Sequence, residues 1–112
     1  MGKGTYLGEF EQVVLLALAR LGEGAYGGGV HEEIVSTTGR DPSVPSVYVT
    51  LARLEKKGLA RSGVEEAQAD AGGRALKKFR LTPAGIDALE RGRRQFERLW
   101  AGLAFDAAPN SR

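Results

Sequence analysis

Cysteine is absent from the 112 residues, and histidine, methionine and tryptophan each occur once. Without thiols, neither a disulfide nor a thiolate metal site is expected, and the absence suits a reducing compartment. His31 lies in HEEIV, which is not the H-E-x-x-H zinc signature, and a lone histidine beside two glutamates offers no Ser-His-acid set. No metal, cofactor or catalytic residue is therefore expected, and the chain does not read as an enzyme. No run approaches 18 apolar residues, so no membrane span is expected. The opening MGKGTYLGEFE carries no signal-peptide core, and Tyr6 stands where a myristoylation signal wants Ser or Thr. The expected location is the cytoplasm.

Glycine is plentiful, at 16 residues. GEGAYG at 22–27 matches G-x-G-x-x-G, but a helical pattern precedes it and no parallel-sheet pattern follows, so it reads as a turn between helices. The net charge of +2 is unevenly spread. Residues 1–42 hold three bases against six acids, residues 43–80 eight against four, and residues 81–112 five against four. The electropositive middle third points to a polyanionic partner.

Residues 9–21 place Phe10, Val13, Val14, Ala17, Leu18 and Leu21 at helical spacing. A shorter helix is expected over 27–37, with Val30, Ile34 and Val35 inward and Gly39 as its stop. Ser43 and Pro45 open a third helix over 44–57, whose inner face would be Val44, Val47, Tyr48, Leu51 and Leu54. Residues 59–64 and 76–81 read as two strands of a hairpin, joined by a polar, glycine-containing tip. Thr82 and Pro83 then open a last helix reaching about residue 105. The fold class is mainly α with a small β-hairpin, an α+β winged helix-turn-helix with a long C-terminal dimerisation helix. Residues 1–81 would form the winged unit, 82–106 the helix, and 107–112 a frayed tail.

In a helix-turn-helix the second helix of the motif enters the major groove. Ser46, Val49, Thr50, Arg53 and Lys57 are expected together on the outer face of 44–57, with Tyr48 at its edge. Arginine can take guanine O6 and N7 together, and Ser or Thr can bond phosphates. Taken alone, that face reads equally well as solvated surface. In the wing Arg74, Lys77, Lys78 and Arg80 put four cations in seven residues, enough to extend a basic surface over the phosphate backbone. The expected DNA-binding set is Ser46, Tyr48, Val49, Thr50, Arg53, Lys57, Arg74, Lys77 and Lys78, with double-stranded DNA as partner. A winged-helix module that meets protein with the same faces is the alternative.

Three stretches together resemble the PadR-like transcriptional regulators: LGEFEQVVLLALARLGEGAYG at 7–27, SVYVTLARLEKKGL at 46–59 and GGRALKKFRLTPAG at 72–85. The resemblance implies a winged-helix repressor that binds DNA as a homodimer through that helix and wing. The wing departs from the family pattern, since Ala75 and Leu76 interrupt the basic-aromatic run before Leu-Thr.

In the last helix Ile86, Leu89, Arg93, Phe96, Trp100 and Leu103 repeat at alternating spacings of three and four, with Leu99 widening the seam. A second copy of the chain would cover it; the other reading folds it back on the protomer's first helix. Arg93 would pair with Glu97 or Glu90. Some relatives in the family bind planar aromatic compounds near the dimer interface, which makes Phe96 and Trp100 the residues to consider for a small aromatic effector. The plainer reading of both is an interface anchor without ligand.

Overall fold

The computed structural model describes residues 7–65 and 76–105. Four helices, α1 (Glu9–Leu21), α2 (Gly27–Thr38), α3 (Val44–Lys56) and α4 (Pro83–Trp100), surround a hairpin of β1 (Ala60–Glu65) and β2 (Leu76–Leu81). This is the expected order, mainly helical with a small antiparallel sheet.

Local chemistry sets most boundaries. Glu11 reaches back to accept a hydrogen bond from the Gly8 amide at 2.9 Å, tying down the start of α1. Glu9 and Glu11 in its first turn and Arg20 in its last complement the helix dipole. Ser43 caps α3 by accepting from the Ser46 amide at 3.2 Å. Gly22, Gly39 and Gly58, each near φ +80°, release α1, α2 and α3 into their turns.

The core is built from Val14, Leu15 and Leu18 of α1, Val30 and Ile34 of α2, Val47, Leu51 and Leu54 of α3, and Phe79 of β2. Val44, expected among the inward residues of α3, is the first residue of the helix and is exposed. Gly27 is explained by Tyr48: a Cβ at this position would collide with the Tyr48 ring. Gly28 meets nothing, and at up to ~1 kcal/mol against alanine it weakens α2 without a packing return.

The hairpin pairs Ala60 with Leu81, Arg61 with Arg80, Ser62 with Phe79, Gly63 with Lys78 and Val64 with Lys77. The turn after α1 adds a further rung. Ala25 and Phe79 exchange N–H···O bonds of 2.8 Å each way, so the glycine-rich segment at 22–27 docks on the free edge of β2. Gly24, at φ +124°, permits that approach.

Thr82 starts α4 with two bonds at once. Its hydroxyl accepts from the Gly85 amide at 3.0 Å and donates to the Gly58 carbonyl at 2.8 Å. Gly85 is buried so tightly that a Cβ would strike the Leu59 carbonyl oxygen. The helix ends at Trp100, not near 105, because Gly102 adopts φ +80° and turns the chain. Leu103 is therefore past the helix, and the expected heptad seam is shorter than its spacing suggests. Among the described residues no helix is long and apolar enough to cross a membrane. The expected tail at 107–112 lies outside the described residues.

Candidate nucleic-acid interface

Helix α3 presents its outer face opposite the buried stripe of Val47, Thr50, Leu51 and Leu54. That outer face is Pro45, Val49, Ala52 and Lys56, flanked by Tyr48 and Arg53. Arg53 and Lys56 are exposed, and neither makes a hydrogen bond or ion pair among the described residues. Val49 stands 55% exposed between them and the helix start. The ring of Tyr48 lies over Gly27, and the residue is nearly half exposed.

Two expected contacts turn inward. Thr50 is only 4% exposed, and its hydroxyl donates to the Ser46 carbonyl at 2.8 Å. A threonine that satisfies its hydroxyl on the preceding turn packs as an apolar side chain. Lys57 reaches across to α1, with Nζ 2.9 and 3.0 Å from the two oxygens of Glu11. Burial alone would raise the Glu11 pKa; the Lys57 ammonium and the Gly8 amide outweigh it and hold the carboxyl below its ordinary value. The lysine is thus occupied in fastening the end of α3 to α1. Ser46 is half-buried, and its hydroxyl donates to the Ser43 carbonyl at 2.8 Å, so it is committed to the cap. Lys56 is an outer-face cation that the expected set did not include. Its signal was available, since it falls seven positions after Val49 and opposite the midpoint of the buried stripe.

The described cations of the wing do not form one surface. Alternation along β2 sends Lys77 to the side facing α3 and Lys78 and Arg80 to the outer side. Lys77 Nζ lies 3.9 Å from Glu55 of α3 and 5.7 Å from the Phe79 ring centre. Glu55 also accepts a 2.6 Å bond from the Ser62 hydroxyl, so one carboxylate joins α3 to both wing strands. Lys78 is half-buried with its ammonium 5.6 Å from the Tyr26 ring centre. Arg74 lies outside the described residues.

The turn between α2 and α3 is held by His31, whose Nε2 is 2.8 Å from the Pro42 carbonyl oxygen. A carbonyl only accepts, so Nε2 carries the proton. No group of three or more His, Cys, Asp or Glu able to hold a metal exists among the described residues.

Helix α4 divides in the middle. Gly85 and Ala88 are buried, and Leu89 packs partly against the protomer's own core. Every residue from Arg93 to Phe105 is exposed, including Phe96 (53%), Leu99 (70%) and Trp100 (59%). Ile86 and Leu103 are exposed as well. Leu89 is thus not free for a seam in the way Phe96 and Trp100 are. Arg93 pairs with Glu97 at 3.7 Å, one of the two partners expected, and Trp100 meets Phe105 edge-on at 5.8 Å between ring centres.

Three helices, a hairpin and a fourth helix, with an open cationic face on the third, define a winged-helix regulator. Residues 14–91 match the model of the transcriptional regulator PadR-like family, and the chain belongs to that family. Solved structures agree. A PadR family regulator from Eggerthella lenta DSM 2243 is 26% identical with a TM-score of 0.66, over 84% of this chain and 81% of that one. A PadR family regulator from Clostridium difficile R20291 is 21% identical with a TM-score of 0.67, over 82% and 91%. RosR of H. salinarum is 21% identical with a TM-score of 0.69, over 93% and 84%. No curated protein sequence gives a significant match.

Proposed function

We propose that the protein is a homodimeric, sequence-specific DNA-binding repressor. One observation carries the DNA reading. On the outer face of α3 Arg53 and Lys56 are exposed and make no hydrogen bond or ion pair among the described residues, while the nearby carboxylates Glu11 and Glu55 are engaged by Lys57, Ser62 and Lys77. In that reading Arg53 and Val49 meet base edges, Lys56 meets a phosphate, and Tyr48 meets a phosphate through its hydroxyl. Thr50 and Lys57 take no part.

The homodimer rests on the bare half of α4. Adjacent exposed Phe96, Leu99, Trp100, Leu103 and Phe105 make an apolar patch of the kind that marks an interface. A second copy covers it and sets the two recognition helices near one DNA turn, ~34 Å, apart. Phe96 and Trp100 are interface anchors in this arrangement; a planar aromatic effector would act by favouring one separation over another.

Fluorescence anisotropy with the DNA upstream of the protein's own coding sequence, titrated across salt beside a scrambled duplex, tests the reading. Tight, salt-dependent and selective binding is expected. Binding that fails on that duplex and on a pool of genomic fragments would favour the protein-interaction alternative.

A further inference from the structure

The two faces of the wing are not alike. On the inner face Ser62 and Lys77 share Glu55. On the outer face Arg61 and Arg80 stand directly opposite each other in the ladder, both exposed. Neither makes a hydrogen bond or ion pair among the described residues. Two like charges facing across a β-ladder oppose each other and destabilise the pairing. Lys78 adds a third cation to this face, and Gly63, opposite it, leaves the space between them open. Together these residues line a shallow depression of about 180 Å³ with Ser62 and Val64.

We propose that this depression is a phosphate-binding site in which Arg61 and Arg80, with Lys78 at the rim, close on one phosphate group above Gly63. The chemistry selects phosphate over carboxylate. One guanidinium fork uses both oxygens of a carboxylate, whereas two facing forks match the larger oxygen set of a phosphate. The site lies on the side of the sheet away from α3, so it is separate from the groove-reading face. The phosphate comes either from a duplex backbone, which rests on the DNA-binding reading above, or from a free phosphorylated compound, which does not.

Two variants separate a site from a general charge effect. R61Q/R80Q removes the forks. Gly63→Val keeps every charge, suits a strand, and fills the depression; its Cβ meets nothing within 4 Å. Circular dichroism first verifies that both fold. Melting in inorganic phosphate against chloride at equal ionic strength forms the first arm, and the salt dependence of duplex binding the second. A free-phosphate site predicts that phosphate raises the wild-type melting temperature and raises neither variant's. A backbone site predicts that both variants flatten the slope of log K against log salt by about 1 per engaged protomer. An effect in R61Q/R80Q without one in Gly63→Val means a long-range field and overturns the site, as does no change in either arm. A wild type that binds no duplex removes the DNA reading and leaves the phosphate arm to decide.

Discussion

From Pro83 to Gly92, α4 turns Gly85, Ala88 and Leu89 toward α1 and the turn at Gly58 and Leu59; from Arg93 to Trp100 it turns nothing inward. The first half is shaped by a fit to its own protomer, down to a glycine whose Cβ would strike the Leu59 backbone. The second half carries the larger apolar side chains, Phe96, Leu99 and Trp100, and buries none of them. The same division runs through the rest of the molecule. On α3, Thr50 and Lys57 are satisfied inside the protomer while Arg53 and Lys56 are not. On the wing, Lys77 has Glu55 while Arg61 and Arg80 have no described acid. Inward-facing polar groups here serve stability, and outward-facing ones are left for something outside the chain.

The strongest way to break that division is at the two glycines of α4. Gly85→Ala places a methyl against the Leu59 carbonyl, which is backbone and cannot swing away. A loss of about 3 kcal/mol or more is expected in urea denaturation. Gly92→Ala meets only the Gln12 side-chain oxygen at 4.0 Å and should be neutral or gain up to ~1 kcal/mol. Equal stability of the two variants would mean that the close approach of α4 to the Leu59 carbonyl does not constrain Gly85.

Next in size is the bare half. Trp100→Ala should weaken dimer association by about 2 kcal/mol or more, roughly 30-fold, as for a central aromatic anchor. Sedimentation at micromolar protein reads it. An unchanged dimer would mean that the seam lies elsewhere. Arg53→Ala should cost about 1–3 kcal/mol on a specific duplex and much less on a random one. Thr50→Val, by contrast, should alter duplex affinity by no more than about 0.5 kcal/mol, because the hydroxyl it removes never faces the groove. A large Thr50→Val loss with an unaffected Arg53→Ala would reverse the assignment of the two faces.

Residues 9–21 were legible as a helix, and so were the starts of α3 and α4, because their signals are local: a glycine stop, Ser43 before Pro45, Thr82 before Pro83. The family was legible for the same reason, through short stretches that match in order. Facing was harder. Counting Thr50 as polar rotated the outer face of α3 by about one residue and hid Lys56. The partner that turns Lys57 inward lies 46 positions away, out of reach of any local pattern. Heptad spacing ran on through Leu103 because periodicity does not see that Gly102 takes a positive φ. The rung between Ala25 and Phe79 depends on two distant segments meeting, and nothing in GEGAYG announces it. The split of the wing cations between two faces was implicit in strand alternation, but a simple count of charges conceals it.

The smallest expected effect belongs to the inward side. Glu11→Gln keeps an acceptor for the Gly8 amide and removes the charge that faces Lys57. Lys57 is partly exposed and can turn to water, so the cost should be about 1 kcal/mol at neutral pH. The carboxyl is held below its ordinary pKa in the folded protein. Its contribution is therefore complete above the unfolded value, near 4.3, and is lost as pH falls through the lower folded value. Glu9 and Glu33 are also held low, by Arg40 and Arg20, but both persist in the variant and cancel in the difference. The stability gap between wild type and Glu11→Gln should stay constant from neutral pH to about 5 and close as the solution is acidified further. Duplex affinity at neutral pH should barely move, since Lys57 is not part of the proposed reading face. A gap that persists at low pH would show that the pair acts through packing and not through charge. A large loss of DNA affinity would show that α3 needs this tie to hold its reading angle, making a polar group inside the protomer part of the binding surface after all.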